Sequence, residues 1–172
     1  MRIETARLAL RPLDTRDLTS THAYSSDVES TRYMMFLPNG NIGETEQVIR
    51  NAMAEQEKEV PSYYEFAVLL GDTHIGGIGL YLLEDGSAEL GWILNKRYWG
   101  HGYAGEAARG VMEWARAQLG IRRFIAQCDA ENDASRRVME RLGMRFVSRA
   151  GGRKNRSSEE ERMELTYEIN LE

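Results

Sequence analysis

The sequence predicts an α+β fold, a mixed sheet whose strands run antiparallel at first and then join through one β-α-β crossover in the middle. Three strand-like runs, residues 64–70, 73–83 and 87–95, are separated only by Gly71-Asp72 and Glu84-Asp85-Gly86, turns short enough for hairpins. The period then changes. Ala104, Ala108, Val111, Ala115 and Leu119 recur at helical spacing, and Gly120 stands where a C-terminal glycine ends a helix. Strand-like residues 122–128 follow at once and close the crossover.

The remaining elements follow in chain order. Arg7-Leu8-Ala9-Leu10-Arg11-Pro12 alternates charged and apolar residues and stops at a proline, so it reads as the first strand. Asp14-Thr15-Arg16-Asp17 offers N-cap chemistry for a short helix to about residue 24. Tyr33 through Gly40 is an apolar loop closed by turn residues. A second helix is expected from Gly43 or Glu44 to about residue 58, with Val48, Ile49 and Met53 inward. Beyond the crossover, residues 132–142 read as a helix with Ala134, Val138, Met139 and Leu142 inward. Two last strands, 144–149 and 163–171, flank a mobile polar loop at 151–161. About seven strands and about four helices result. With no repeat or linker, residues 1–172 are expected to form a single domain.

Lys and Arg number 22 against 27 Asp and Glu, a net charge of −5, so the chain lacks the basic surplus that a general nucleic-acid binder needs. Amine-bearing partners fit that balance. No run approaches the roughly 20 apolar residues that span a bilayer. The first residues, Met1-Arg2-Ile3-Glu4-Thr5, show no apolar core of a secretory signal. With one cysteine, Cys128, no internal disulfide is possible, and a reducing compartment is indicated. The expectation is a cytoplasmic monomer or homodimer that binds neither nucleic acid nor membrane. His22 and His74 lack ligand-spaced companions, so no metal site is expected.

The most informative stretch is Asn95-Lys96-Arg97-Tyr98-Trp99-Gly100-His101-Gly102-Tyr103-Ala104-Gly105-Glu106-Ala107, where a strand enters a small-residue loop and a helix opens immediately. Unpaired N–H groups and the dipole at a helix N-terminus attract anions, and glycines let an anion approach the backbone. A tight turn that needs glycine only for its dihedrals is the plainer reading. Arg97, a cation beside the same turn, favours a phosphate or pyrophosphate site. Gly100-x-Gly102-x-x-Gly105 also matches the dinucleotide fingerprint, with Asp129 about 24 residues on. Its context fails, because four residues separate it from the strand and too few helices follow for a doubly wound sheet.

Arg97-x-x-Gly100-x-Gly102, opening a helix after a strand, resembles the acetyl-CoA pyrophosphate motif of the GNAT N-acetyltransferase superfamily. Thr5-Ala6-Arg7-Leu8-Ala9-Leu10-Arg11, Tyr98 through Ala107, and Asn132-Asp133-Ala134-Ser135-Arg136-Arg137-Val138-Met139-Glu140-Arg141-Leu142-Gly143-Met144 resemble its RimJ/RimL branch, which holds ribosomal-protein alanine N-acetyltransferases. The likeness covers essentially the whole chain and implies a GNAT-like sheet with acetyl-CoA as co-substrate. It implies that main-chain N–H groups of Arg97, Trp99, Gly100, His101, Gly102, Tyr103 and Ala104, with Gly105 beside them, hold the pyrophosphate. Ile93, Leu94 and Asn95 would pair with pantetheine where two middle strands splay apart. Asn132 would bond the pantetheine arm, and Lys96, Arg97 or Arg137 would meet the 3′-phosphate. Many superfamily members protonate the departing thiolate from a tyrosine seven residues after this asparagine. Here that position is Met139, which cannot donate, and the branch's Asn132-x-x-Ser135 pattern implies Ser135 as the acid.

Acetyl transfer to an amine needs a neutral nucleophile, a polarised carbonyl and a proton for the thiolate. Deprotonating an α-amine at pH 7 costs ~1 kcal/mol and a lysine ~4.6 kcal/mol, so an α-amine needs only modest base assistance. Glu89 shares a strand face with Gly91 and Ile93, opposite Ala88, Leu90, Trp92 and Leu94, and is the candidate base. A solvent-facing glutamate is the plainer reading; the resemblance favours the base. An N–H of Ile93 or Leu94 would be the oxyanion donor. Tyr33, Met34, Met35 and Phe36, with Tyr63 and Tyr64, are either core or the wall of an acceptor pocket. The acceptor implied is an N-terminal α-amine of a protein. The alternatives are a small-molecule amine, or a non-catalytic acyl-CoA-binding module.

Overall fold

The computed structural model describes residues 1–172. One eight-stranded sheet, in the order β1-β2-β3-β4-β5-β6-β8-β7, carries helices on both faces. It comprises β1 (Ile3–Glu4), β2 (Leu8–Pro12), β3 (Tyr63–Leu70), β4 (Thr73–Leu82), β5 (Ala88–Leu94), β6 (Arg123–Asp129), β7 (Arg145–Lys154) and β8 (Glu161–Asn170). The helices are α1 (Leu18–Ser25), α2 (Ile42–Gln56), α3 (Tyr103–Leu119) and α4 (Asp133–Arg141). Every neighbouring pair is antiparallel except β5 and β6, which α3 joins. This is the expected architecture. The extra strand, β1, is too short to show an alternating pattern, and it pairs Ile3 with Leu10.

The larger core lies between the sheet and the α3/α4 layer. Val111, Met112 and Ala115 of α3 and Met139 of α4 bury completely with Phe66, Ile78, Leu80, Leu90 and Phe124. Burial of each large side chain there contributes roughly 1.5–3 kcal/mol. On the other face, α1 and α2 cover only part of β3 and β4, and Ile49 packs against Leu13 and Ala67. Asp14 caps the short 3-10 turn Thr15–Asp17 that leads into α1, and Asn41 caps α2. Gly120 closes α3 in the left-handed region, φ +71°.

Two expectations fail and a third is narrowed. Val48 is 47% exposed; Thr45, Ile49 and Ala52 form the inner side of α2. Ala134 is exposed, whereas Met139 and Leu142 are buried in the core and Val138 packs against it half-buried. The polar loop is shorter than 151–161, confined to residues 155–160, since β7 runs to Lys154 and β8 begins at Glu161. Arg153 and Asn155 are buried there because Glu164 takes Arg153 Nη1 at 2.7 Å and Asp129 takes Asn155 Nδ2 at 2.6 Å. Polar composition marks exposure only where no partner waits inside.

Candidate active site

The parallel pairing of β5 with β6 stops after Ala88↔Phe124, Glu89↔Ile125 and Leu90↔Ala126, so the two strands part from Gly91 onward. Which backbone groups face the gap follows from two bonds to the other neighbour. Ser87 O accepts from Leu83 N–H and Asn95 N–H donates to Ile75 O, both at 2.9 Å on the β4 side. Alternation along the strand then turns Trp92 and Leu94 toward the gap and Ile93 toward β4. Of the two expected oxyanion donors, Leu94 therefore has its N–H free in the gap. Its carbonyl takes Trp99 Nε1–H at 3.0 Å, which ties the following turn back onto the strand.

Asn95 ends the strand by capping the 3-10 turn Lys96–Tyr98, accepting from Arg97 N–H at 3.1 Å. Gly100 and Gly102 both hold φ near +79°, the left-handed region that side-chain-bearing residues avoid. Gly102 is the N-cap of α3 and supplies no side-chain acceptor, so the first N–H groups of that helix stay open. Glu106, one turn in, holds the opposite edge by accepting from Thr5 Oγ1 at 2.6 Å and Arg7 N–H at 2.7 Å.

A cleft of about 550 Å³ runs from this turn to the parted strands. Among the residues singled out in the sequence, Ile93, Leu94, Trp99, Gly100, Gly102, Tyr103, Ala104, Asn132, Ser135 and Arg137 line it. Asn95, Arg97, His101 and Gly105 do not. Asn95 is spent on its cap. The exposed His101 stacks on Tyr103 at 5.4 Å, and its carbonyl takes Arg7 Nη1 at 3.0 Å. Gly105 packs toward Val138. Lys96 is bound to Asp27 and Glu29 at 2.9 and 3.0 Å, so of the three cations considered only Arg137 reaches the cleft. Arg32 and Arg141, not singled out in the sequence, add two more guanidiniums to the lining.

Asn132 caps α4, its Oδ1 accepting from Ser135 N–H at 3.1 Å. Its Nδ2 donates to Ser135 Oγ at 3.2 Å, which leaves the serine proton free to donate elsewhere. Glu89 lies outside the cleft, on the opposite sheet face. Burial pushes its carboxyl above the ordinary glutamate range, Glu164 adds to that, and Arg153 opposes it. A strap from Glu29 to Met34 walls the cleft near the parted strands. Arg153 Nη2 holds the strap at Tyr33 O (2.8 Å), and the Arg156 N–H holds it at Met34 O (3.0 Å). Of the aromatic wall expected, Tyr64 packs instead on Trp114, 5.2 Å away in the α3 core. Met35 and Phe36 are exposed. No run in the sequence linked residues 29–34 to hairpin residues 153–156, more than a hundred positions away.

An uncapped, glycine-opened helix N-terminus, facing a cleft that ends at an unpaired strand edge, fits an extended diphosphate ligand. Residues 7–145 match the family model described as the acetyltransferase (GNAT) domain. The chain belongs to the GNAT acetyltransferases. It is 34% identical over 151 residues to the uncharacterized N-acetyltransferase YnaD of Bacillus subtilis (strain 168), covering 84% of this chain and 83% of YnaD. A GNAT-family acetyltransferase from Bacillus anthracis superposes with a TM-score of 0.86 at 27% identity, covering 99% and 98% of the two chains. RimL, a ribosomal L7/L12 α-N-protein acetyltransferase solved with coenzyme A, superposes at 0.88 but with 16% identity, over 99% and 98%, which shows a shared fold. As a GNAT enzyme the chain is an N-acetyltransferase that uses acetyl-CoA and acts on an amine-bearing acceptor. No helix is long and apolar enough to cross a membrane.

Proposed function

We propose that this single domain acetylates the N-terminal α-amine of a protein or peptide by direct attack in a ternary complex, as in the RimJ/RimL branch that its motifs resemble. The observation that carries the reading is the parting of β5 and β6. One side of it carries the phosphate turn and Ser135, and the other face carries Glu89. Acetyl-CoA supplies the activated acetyl group as its thioester. Open N–H groups at Gly102, Tyr103 and Ala104 bind the diphosphate, and Arg137 is the cation placed for the 3′-phosphate. The free edge at Trp92 and Leu94 orients the pantetheine arm, and Leu94 N–H stabilises negative charge on the carbonyl oxygen.

Glu89 takes the amine proton, directly or through a water. Its raised proton affinity brings it nearer to an α-amine, which shortens the uphill part of that transfer. Ser135 Oγ–H, its oxygen already accepting from Asn132, donates to the leaving thiolate. The protein chemistry needs no covalent acyl-enzyme, and buried Cys128, its thiol pushed up to about 11, is a poor nucleophile at neutral pH. Glu89→Gln is expected to cut kcat at least about tenfold, the low side of a general base's contribution, while acetyl-CoA affinity holds. Unchanged turnover on α-amine peptides would remove Glu89 as the base. A small-molecule amine is the second reading, favoured by the carboxylates of Glu164 and Glu65 close to Glu89, which suit a small cation.

A further inference from the structure

The phosphate turn is backed by a segment that the proposed reaction leaves unused. Thr5-Ala6-Arg7, between β1 and β2, meets α3 at its first turn, with Arg7 and Glu106 99 positions apart in the chain. Arg7 Nε donates to Glu106 Oε2 at 2.6 Å, and Nη1 of the same guanidinium donates to His101 O at 3.0 Å. Its central carbon lies 4.7 Å from the centre of the Tyr103 ring, and a Cβ on Gly102 would stand 3.7 Å from Nη2. One guanidinium thus touches the residues on both sides of Gly102 and the acid of the first helical turn. Arg7 does not line the cleft, so it contacts the turn from outside.

An anion on the cleft side of the turn feels this contact in two ways. The carbonyl and N–H of a trans peptide point in opposite directions, and the His101–Gly102 peptide is trans. With His101 O held by Arg7 on the outside, Gly102 N–H is turned to the other side, where Gly102 lines the cleft. The second effect is electrostatic. An acid in the first turn of a helix draws on the same dipole that binds a phosphate, so an unmatched Glu106 would compete with the ligand and repel it. Burial disfavours the charge on Glu106, but bonds from Thr5 Oγ1 and from Arg7 outweigh that and hold its carboxyl below the ordinary glutamate range. Glu106 is therefore ionised at neutral pH, and Arg7 is the cation that cancels it.

We infer that Arg7 is a positioning residue of the diphosphate site, which aims the Gly102 N–H into the cleft and shields the bound anion from Glu106. The inference rests on the proposed role of this turn. Were the pair a plain staple between the N-terminal segment and α3, losing either partner would cost stability and leave coenzyme affinity alone. Under charge compensation the two partners differ. Without Arg7, the carboxylate stands uncancelled beside the anion; without the carboxylate, Arg7 adds its full charge to the same helix end.

Calorimetry with coenzyme A and melting of the full chain test this in three variants. Arg7→Met and Glu106→Gln break the same pair, in which Arg7 is half-exposed, and each should lower Tm by about 2–4 °C. Their affinities should move in opposite directions. Kd should rise at least about threefold for Arg7→Met and fall at least about twofold for Glu106→Gln. Arg7→Lys, which keeps the charge, should stay nearer wild type than Arg7→Met does. In turnover, the loss in Arg7→Met should appear in KM for acetyl-CoA with kcat held. A smaller rise for Arg7→Met, or a Kd unchanged or raised for Glu106→Gln, overturns the inference. If Gly102→Ala weakens coenzyme A binding in the same experiment, the turn keeps its assignment and only the role of Arg7 falls; if Gly102→Ala binds like wild type, the assignment of the turn itself falls.

Discussion

Gly102→Ala isolates the phosphate turn because the structure supplies its own control in Gly120→Ala. Both glycines sit in the left-handed region, at φ +79° and +71°, at the two ends of α3. Neither substitution meets a steric obstacle. The new methyl at 102 would lie 3.7 Å from Arg7 Nη2, and nothing lies within 4 Å at 120. Each variant therefore bears only the strain of a left-handed alanine, ~1–2 kcal/mol. In a chain of this size that lowers Tm by about 2–8 °C in either case. The two should part on ligand binding. Relief of strain at 102 rotates the peptide planes that carry the first N–H groups of α3, and the affinity lost is bounded by the same energy. Calorimetry with coenzyme A should show Kd raised about 5- to 30-fold for Gly102→Ala and within about twofold of wild type for Gly120→Ala. Equal melting losses with equal, wild-type-like affinities would refute the assignment of this turn to the diphosphate.

Other expectations follow from the same geometry. Ser135→Ala should lower kcat at least about tenfold without weakening coenzyme binding, since the Asn132–Ser135 N-cap bond to the backbone survives; an unaffected rate passes the acid role to water. Glu65 is held above the ordinary carboxylate range by burial, so the folded state binds the extra proton and stability falls as pH rises past the unfolded value of about 4.3. Glu65→Gln should therefore raise Tm at pH 7, and the gain should vanish in melts below about pH 4. Asp129→Asn breaks a buried carboxylate's bonds to Arg162 (3.0 Å) and Asn155. With Arg162 partly exposed, the cost should be about 2 kcal/mol, or roughly 4–8 °C in Tm. A melt unchanged by that substitution would show that the hairpin does not depend on Asp129.

Much of the site was legible one segment at a time. Local spacing placed Gly100 and Gly102 at a strand-to-helix turn, and the Asn132-x-x-Ser135 pair at the start of a helix, because such turns and caps are set by neighbours three or four positions apart. Period-two alternation likewise put Glu89, Gly91 and Ile93 on one face. The glycines of β4 were a readable signal of close packing over that strand, since a strand does not accumulate them without cause. Errors arose where burial depended on distant partners. Arg153 and Asn155 look like solvent-exposed loop residues until Glu164 and Asp129 are set beside them. Val48 and Ile49 are adjacent and equally apolar, and only the position of α2 over Leu13 and Ala67 chooses between them.

From sequence alone came the order of strands and helices, the crossover through α3 and the anion-seeking bend, all consequences of short-range periodicity and backbone dihedrals. Tertiary structure alone decided where β5 and β6 part, which of two adjacent N–H groups faces the gap, and that Lys96 is already neutralised by Asp27 and Glu29. It also brought Tyr81 onto Glu65, sixteen residues apart on neighbouring strands. The physical reason is that pairing register and ion partnership are set by contacts between segments, and a residue's own neighbours in the chain carry no record of what will lie across from it.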